Sequence, residues 1–303
     1  MQPLIEASWH YGEAGQWQEA YDLMEKEGLF ADLRLWGGNT VLLELDRLLL
    51  PPEKWHAKPE QAASLYNNLG RVYNTLGQKQ EALRYYEQAL AIWQEVGDRG
   101  GEGTTLNNLG LVYSNLGQRQ EALRYYEQAL AIRTEVGDRR GEGTTLNNLG
   151  GVYDTIGQKQ EALRYYQQAL AISREVGDRG GEGTTLHNLG LVYDAIGQKQ
   201  EALCYYEQAL AISREVGDRA GEGGTLWNIG ALYSRQDRND AALACFLLAR
   251  DIYQEVLSPN REGVQRWIDD LRKKAGEEEF AALLAKVEPQ ASSIVEQALR
   301  EGL

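Results

Sequence analysis

Two cysteines, Cys204 and Cys245, are all that the 303 residues contain. Each stands where neighbouring copies of a repeat carry Arg or Tyr, so the pair reads as reduced bystanders, with neither a disulfide framework nor a thiolate metal site to build on. Histidine is as scarce: His10, His56 and His187 have no ligand-like spacing, and no His-Glu-x-x-His segment occurs. The Gly-x-x-x-x-Gly-Lys-Ser/Thr phosphate loop is missing, so no ATPase core lies within the chain. Serine nucleophile elbows are missing too, and acidic pairs such as Glu201 and Glu207 fall on solvated helix surfaces. Positive charge is short: 31 Lys and Arg stand against 45 Asp and Glu, a formal net charge of -14. That balance argues against a nucleic-acid partner or an anionic membrane surface. No run of eighteen apolar residues exists, and no charged-then-apolar leader opens the chain. The expectation is a cytoplasmic protein that is not an enzyme and needs no cofactor or metal.

What the chain does have is repetition. The forty residues Gly97–Val136 return at 137–176 with nine changes, and at 177–216 with six changes from that second copy. A looser copy occupies 60–96 and a degenerate one 217–256. A fixed period of this length means a solenoid, in which each unit buries its apolar face against the next. Within a unit, Leu106, Leu109, Gly110 and Tyr113 fall at i, i+3, i+4 and i+7, one face of a helix, and Gly117 stops it. Ala122, Tyr126, Ala129, Leu130 and Ile132 form a second apolar stripe, ended by Gly137. Asp138 is then placed to cap the next helix, with Glu142 adding negative charge in its first turn. Each unit is a hairpin of two helices of about 17 residues, roughly 25 Å long. Gly110 and Ala122 permit close approach, and Tyr126 fills the space beside them. Gly101 and Gly103 sit in a first turn, where each costs up to about 1 kcal/mol against alanine, and close backbone packing is a reason to keep them.

These residues carry a family resemblance. Leu109-Gly110-x-x-Tyr113 followed by Ala122-x-x-x-Tyr126 resembles the tetratricopeptide repeat (TPR) pattern. It recurs as Leu69, Gly70, Tyr73, Ala82 and Tyr86, again from Leu149 and from Leu189, and as Ile229, Gly230, Tyr233, Ala242 and Phe246. Leucine stands at 106, 146 and 186 where the family often has tryptophan, and the period is 40 rather than 34, with the extra residues around the Gly-Asp-Arg-x-Gly-Glu-Gly junction. The period alone would suit HEAT or armadillo repeats, but the Leu-Gly, Tyr, Ala, Tyr constellation decides for TPR. The longer unit is similar to kinesin-light-chain and LGN-type arrays, and to arrays that trail bacterial STAND-type signalling ATPases. The resemblance implies an all-α fold: an α-α superhelix (TPR solenoid) of stacked helical hairpins with degenerate capping helices at both ends.

The expected organisation is degenerate TPR-like or capping helices over 1–59, five units over 60–256 (60–96, 97–136, 137–176, 177–216 and 217–256), and capping helices over 257–303. Gly15 to Ala20 (GQWQEA) is a worn copy of Gly117 to Ala122. Leu29 to Leu50 supplies two helical pieces broken at Gly37-Gly38, and Pro51-Pro52, Trp55 and Pro59 mark a connection. This end either caps the solenoid or docks on a neighbour. Beyond Ser258-Pro259, three short helices carry Val264, Trp267, Ile268 and Leu271, then Phe280, Leu283, Leu284 and Val287, then Ile294, Val295, Ala298 and Leu299 after Pro289. The tail from Arg300 is expected to be mobile.

Function is expected on the concave face that the first helices line in a TPR superhelix. Asparagine recurs there in two ladders. One runs Asn68, Asn108, Asn148, Asn188 and Asn228; the other runs Asn67, Asn107, Asn147, then His187 and Trp227. An amide offers both donor and acceptor, so it can pair with the backbone of an extended peptide, and TPR arrays use groove asparagines in that way. The alternative is that the Asn108 set bridges adjacent helices inside the stack. Arg71, Asn74, Leu111, Asn115, Asp154, Asp194 and Arg235 complete the candidate face. Differences among the three close copies fall disproportionately on it, at 151, 154, 155, 187, 191 and 195. Trp227, an aromatic outside the core stripe, reads either as a partner anchor or as packing under the C-terminal helices. If the second ladder points away from the stack, its truncation leaves melting unchanged. The expected function is a protein-interaction scaffold or sensor binding a peptide or protein partner in the groove, within a bacterial signalling or defence assembly, with an ATPase or effector docking at the N-terminal region. The alternative is a purely structural or oligomerisation subunit whose groove is empty.

Overall fold

The computed structural model of the chain describes residues 2–26, 39–50 and 56–302. Among the described residues every regular element is helical. They form two compact units, Met1–Gly141 and Glu142–Leu303. The first holds α1 (Gln2–Glu13), α2 (Trp17–Lys26), α3 (Asn39–Leu48), α4 (Pro59–Thr75), α5 (Lys79–Val96), α6 (Arg99–Asn115), α7 (Arg119–Val136) and the first residues of α8 (Arg139–Thr155). The second continues with α9 (Lys159–Glu175), α10 (Arg179–Ala195), α11 (Lys199–Val216), α12 (Arg219–Ser234), α13 (Asn239–Glu255), α14 (Asn260–Ala275), α15 (Glu277–Val287), a 3-10 turn (Glu288–Gln290) and α16 (Ala291–Gly302). The helical piece expected before Gly38 and the connection at Pro51, Pro52 and Trp55 lie outside the described residues.

Each hairpin is built by the same local devices. From α6 to α12 the first helix of a hairpin opens on an aspartate that accepts from the backbone N–H three residues on, whereas α4 opens on Lys58 and Pro59. Asp98 takes Gly101 N–H at 3.0 Å, Asp178 takes Gly181 at 3.1 Å and Asp218 takes Gly221 at 2.9 Å, each satisfying one of the helix's free donors. Both helices of a hairpin stop on a left-handed glycine, as at Gly117 (φ 73°) and Gly137 (φ 73°), a conformation that costs an L side chain. Two positions depart from this rule: Asp237 (φ 57°) and Leu257 (φ 53°) stand where the other copies use glycine.

What brings the two helices of a hairpin together is an aromatic ring lying on a glycine. A Cβ placed on Gly110 would sit 2.7 Å from the Tyr126 ring, one on Gly70 2.7 Å from Tyr86, one on Gly150 2.7 Å from Tyr166 and one on Gly190 2.5 Å from Tyr206. In the degenerate copy Phe246 takes the ring's place over Gly230 at 2.7 Å. Tyr86, Tyr126 and Tyr206 are among the largest fully buried side chains. The first-turn glycines do the same: a Cβ on Gly101 would stand 2.5 Å from the Trp93 ring of the preceding hairpin, and Gly103 and Gly183 face the second helix of their own hairpin. A Cβ on Gly103 would stand 3.1 Å from Ile132, and one on Gly183 2.9 Å from Ile212.

The residues that lengthen the repeat form an ionic joint. Glu222 is buried at 6% exposure, yet its carboxylate accepts from Arg214 Nε at 2.8 Å and from Arg219, whose other nitrogen reaches Glu255 at 2.6 Å. Glu182 repeats the arrangement with Arg174, Arg179 and Glu215, and Glu102 with Gln94, Arg99 and Glu135. The glutamate expected only to favour the helix N-terminus is thus the hub joining three helix ends.

At the far end of the second unit, α14, α15 and α16 pack on α13, burying Val264, Ile268, Leu271, Phe280, Val287, Val295 and Ala298 with Leu243, Phe246 and Leu247. The tail expected to be mobile from Arg300 continues α16 through Gly302, and Glu301 accepts from Arg238 at 3.4 Å. In the first unit, Ala20, Tyr21 and Met24 of α2 and Leu42, Leu45 and Leu49 share a core with Leu65 and Leu69 of α4. Asp46 lies inside that core, and both its carboxylate oxygens lack a hydrogen-bond partner among the described residues. Burial drives its carboxyl well above the usual range, against the opposing pull of Arg71.

Two expectations follow. Gly110→Ala should destabilise by about 1–3 kcal/mol, because the added methyl meets a buried ring that has nowhere to move. Gly151→Ala should be neutral or stabilising by up to about 1 kcal/mol, since its Cβ meets only the Tyr166 hydroxyl at 3.5 Å. Urea denaturation of the two variants checks the pair, and equal shifts would refute the ring-on-glycine constraint. For Asp46, a carboxyl raised in the folded state favours folding only while protonated, so its cost appears as pH rises through the carboxylate range. Asp46→Asn should therefore raise stability at pH 7 by about 1 kcal/mol or more and bring no gain near pH 3, as read by thermal melts at both values.

Candidate partner-binding face

The face outside the ring-on-glycine stripe is built on the first helices, and most of its polar groups are engaged with one another. In the first unit, Asn67 Oδ1 on α4 accepts from Asn108 Nδ2 at 3.2 Å and Thr105 Oγ1 at 3.5 Å, both on α6. In the second unit, Asn147 Oδ1 on α8 accepts from Asn188 Nδ2 at 3.1 Å and Thr185 Oγ1 at 3.3 Å on α10. His187 on α10 makes the same rung to α12, with Nδ1 2.9 Å from Thr225 Oγ1 and Nε2 3.3 Å from Asn228 Nδ2. One further rung joins α12 to α14. There the Trp227 ring lies edge-on to Tyr253 at 6.4 Å, and a Cβ on Gly263 would come 2.7 Å from it. Trp227 therefore packs beneath the first C-terminal helix and does not stand free as an anchor.

Within each unit the two ladders are thus two sides of a seam. The Asn67-type residues supply acceptors and the Asn108-type residues supply donors to the preceding helix. This corrects the expectation that the Asn67 set points away from the stack. Asn107 itself is buried. Thr105, Thr185 and Thr225, which sequence reasoning passed over, are the buried partners; their recurrence at one position of every close copy was the available signal. The recurring Arg-x-x-Glu at 99–102, 179–182 and 219–222 was the signal for the ionic joint.

The charged members of the face are neutralised locally. Asp154 pairs with Lys159 at 2.6 Å, and Asp194 with Arg235. Lys79 Nζ donates to both the backbone O and the Oδ1 of Asn74 at 2.7 Å, and Arg71 donates to Asn68 Oδ1 at 2.7 Å. What is left toward solvent is largely uncharged. Leu111 and Asn115 on α6 are exposed, as are Thr155 on α8 and Thr184, Leu191 and Ala195 on α10, while Asn108, Asn148, Asn188 and Asn228 are half-exposed. A depression of about 210 Å³ beside Ser64, Asn67, Asn68 and Thr104 falls short of the roughly 300 Å³ at which small-molecule pockets begin, so an extended ligand suits the face better than a small one. Burial pushes the His187 imidazole below its ordinary pKa, with Asp218 pulling in the opposite direction.

Comparison with known proteins agrees with this geometry. A family profile described as "Tetratricopeptide repeat" matches residues 61–135, 103–175 and 142–215, and a second profile of the same description matches 224–261. Among solved structures, BtubC (BKLC) from P. vanneervenii is 24% identical over 71% of this chain and 92% of its own, with a TM-score of 0.54. Aspartyl phosphate phosphatase F from Bacillus subtilis is 16% identical over 99% of this chain and 93% of its own, with a TM-score of 0.61. A Rap protein complexed with Competence and Sporulation Factor is 15% identical over 100% of this chain and 99% of its own, also with a TM-score of 0.61. At these identities the likeness is one of fold. No curated protein matches the chain at a significant level.

The seam makes a stability prediction. Asn147→Ala removes the acceptor of half-buried Asn188 Nδ2 and leaves Thr185 Oγ1 only Gly181 O, at 2.8 Å, and should cost about 1 kcal/mol. Asn115→Ala, at an exposed position on α6, should stay within about 0.5 kcal/mol of wild type. Chemical denaturation decides, and an Asn147→Ala variant as stable as wild type would remove the seam from the account.

Proposed function

Since the chain belongs to the tetratricopeptide repeat family, whose units leave one helix face outside the stack, we propose that it is a non-catalytic interaction module that holds an extended segment of a protein partner on its first-helix faces. The observation that carries this reading is the half-spent amide. Asn108 and Asn188 each give an Nδ2 hydrogen to the seam, which leaves the carbonyl oxygen and the second N–H of the same amide for a ligand. A peptide backbone offers the matching donors and acceptors whatever its side chains. Leu111 and Leu191, both exposed beside these amides, add apolar contact. The Rap protein complexed with Competence and Sporulation Factor has this fold and supports its use for holding a partner; at 15% identity it carries no residue across.

The setting we infer is a signalling or defence assembly, in which an ATPase or effector docks at the N-terminal region. Trp9 and Tyr11 of α1, exposed at 41% and 38%, support docking at that end, because a capping repeat that met only water would carry polar residues there. A structural subunit with an empty face is the competing reading, and the commitment of Asn67, Asn147 and Trp227 to the stack favours it.

Selection of peptides from a displayed random library on the immobilised protein, followed by titration calorimetry, tests the proposal. Leu111→Ala or Leu191→Ala should weaken a selected peptide by about 1 kcal/mol, roughly fivefold, with unchanged melting. Arg164→Ala, on a second helix beside Tyr165, should leave the affinity as it was. If Arg164→Ala weakens binding and the leucine variants do not, the partner occupies the other face.

A further inference from the structure

Two rungs of the seam are not amide pairs: at one the Trp227 ring packs against Gly263, and at the other His187 occupies the position of Asn67 and Asn147. An amide oxygen can only accept. Asn108 and Asn188 accordingly turn Nδ2 toward it, and Asn228 turns Nδ2 toward His187 Nε2 in the same way. With Nε2 as the accepting nitrogen of a neutral ring, the proton belongs on Nδ1, which then donates across the 2.9 Å contact with Thr225 Oγ1. This is the reverse of the tautomer that a free imidazole favours.

We propose that His187 is a proton-operated switch on the partner-binding face, in which a proton taken up from solvent at Nε2 turns over the Asn228 amide. With Nε2 protonated, two donors meet across the 3.3 Å contact, and no rotation of the ring relieves this because Nδ1–H already faces Thr225. The only other arrangement open to Asn228 is the reversed amide, which accepts from Nε2–H through Oδ1 and swings its NH2 outward. The face then shows only donors at Asn228, where Asn108 and Asn188 still show a carbonyl acceptor beside their free N–H. No other rung among the described residues does this, because neither an asparagine nor Trp227 at that position titrates.

The groups facing His187 are few. On α12 they are Thr225, Asn228 and, at the helix N-cap, Asp218, the one carboxylate acting on the ring. On α11 the Tyr206 ring stands 5.8 Å away, tilted 57°. Tyr253 on α13 approaches the same spot, its hydroxyl and His187 Cε1 lying 3.3 and 3.9 Å from a Cβ on Gly224. The Asp194–Arg235 pair joins α10 and the end of α12 as a neutral unit. Burial opposes the imidazolium and Asp218 supports it; burial is the larger effect, so the folded protein holds the neutral ring to lower pH than the ordinary 6.5. A group depressed in this way leaves stability intact above that pH and withdraws it as pH falls, so switching and a slight loosening of the α10–α12 joint occur together.

The switch rests on the function proposed above only for its consequence; its mechanism is tested without a ligand. Nitrogen-15 NMR of the full chain, titrated from pH 8 to 5, reads the His187 tautomer and the side-chain amides of Asn188 and Asn228. The expected result is an Nδ1–H tautomer at pH 8, a His187 midpoint below 6.5, and an Asn228 side-chain resonance that shifts with that midpoint while Asn188 does not. In His187→Asn, which restores the side chain found at position 147 and so keeps the fold, the Asn228 shift should vanish. An Nε2–H tautomer at pH 8, or an Asn228 amide indifferent to the His187 titration, overturns the switch. A coupled titration in a protein that captures no peptide leaves the switch standing and removes the function.

Discussion

Each of the five repeat hairpins depends on an aromatic ring lying where a glycine has no side chain. The contact fixes how near the two helices stand, and with that distance fixed the rest of the apolar stripe falls into register: Leu109 and Ala122 are wholly buried at 0% exposure in the same hairpin. A ring is a suitable filler because it is flat and rigid, gaining large contact area for two rotatable bonds. A glycine partner lets the ring reach backbone, so the packing has little freedom to relax and a misplaced helix gains nothing. Phe246 over Gly230 shows that the hydroxyl is not needed for this purpose.

Hairpins then have to be joined to one another, and the chain does so at both edges of the first helix. Near its start, the buried carboxylate of Glu102, Glu182 or Glu222 collects donors from the helix before and from its own first turn. A buried carboxylate without those donors would be costly, and with them the joint is specific in geometry whatever its net energy. Nearer the middle, the amide seam repeats the logic with neutral groups, one oxygen serving two donors. The seam consumes the inner half of each polar pair and leaves the outer half in place, which is how one ladder can hold the stack together and still present hydrogen-bonding groups to solvent.

The legibility of these features in the sequence follows from what each depends on. Helix ends were legible because Asp98 and Gly117 act within a few residues of themselves. The ring-on-glycine pairing was legible because Gly110 and Tyr126 sit in a recurring pattern whose members differ in size. The seam was not, because a period of 40 reports that Asn67 and Asn147 recur and says nothing about which way they point. The hydrogen bonds span 38 and 41 residues, offsets set by the rotation between successive first helices, and that rotation is a property of packing. For the same reason Trp227 stays open in the sequence between a partner anchor and packing under the C-terminal helices. Its ladder groups it with Asn67 and His187, whose partners lie on the next first helix; at that rung the partner is Gly263 and a ring replaces a hydrogen bond.

The seam also gives a physical reason for where the copies differ. A rung needs an acceptor toward the following helix or a shape that fills the gap, and Asn147, His187 and Trp227 each meet one of those conditions, while Thr185 and Thr225 opposite them do not change. Positions 151, 154, 155, 191 and 195 touch no rung, so Leu191 and Gly151 can interchange at the same place in the unit without altering any contact that carries the stack. Variation is therefore cheap on the outward half of the face and chemically constrained on the inward half. His187 is the instructive exception, because it satisfies the constraint of the inward half with a group that titrates, and so carries the proton balance of the solvent into a seam that is otherwise indifferent to it.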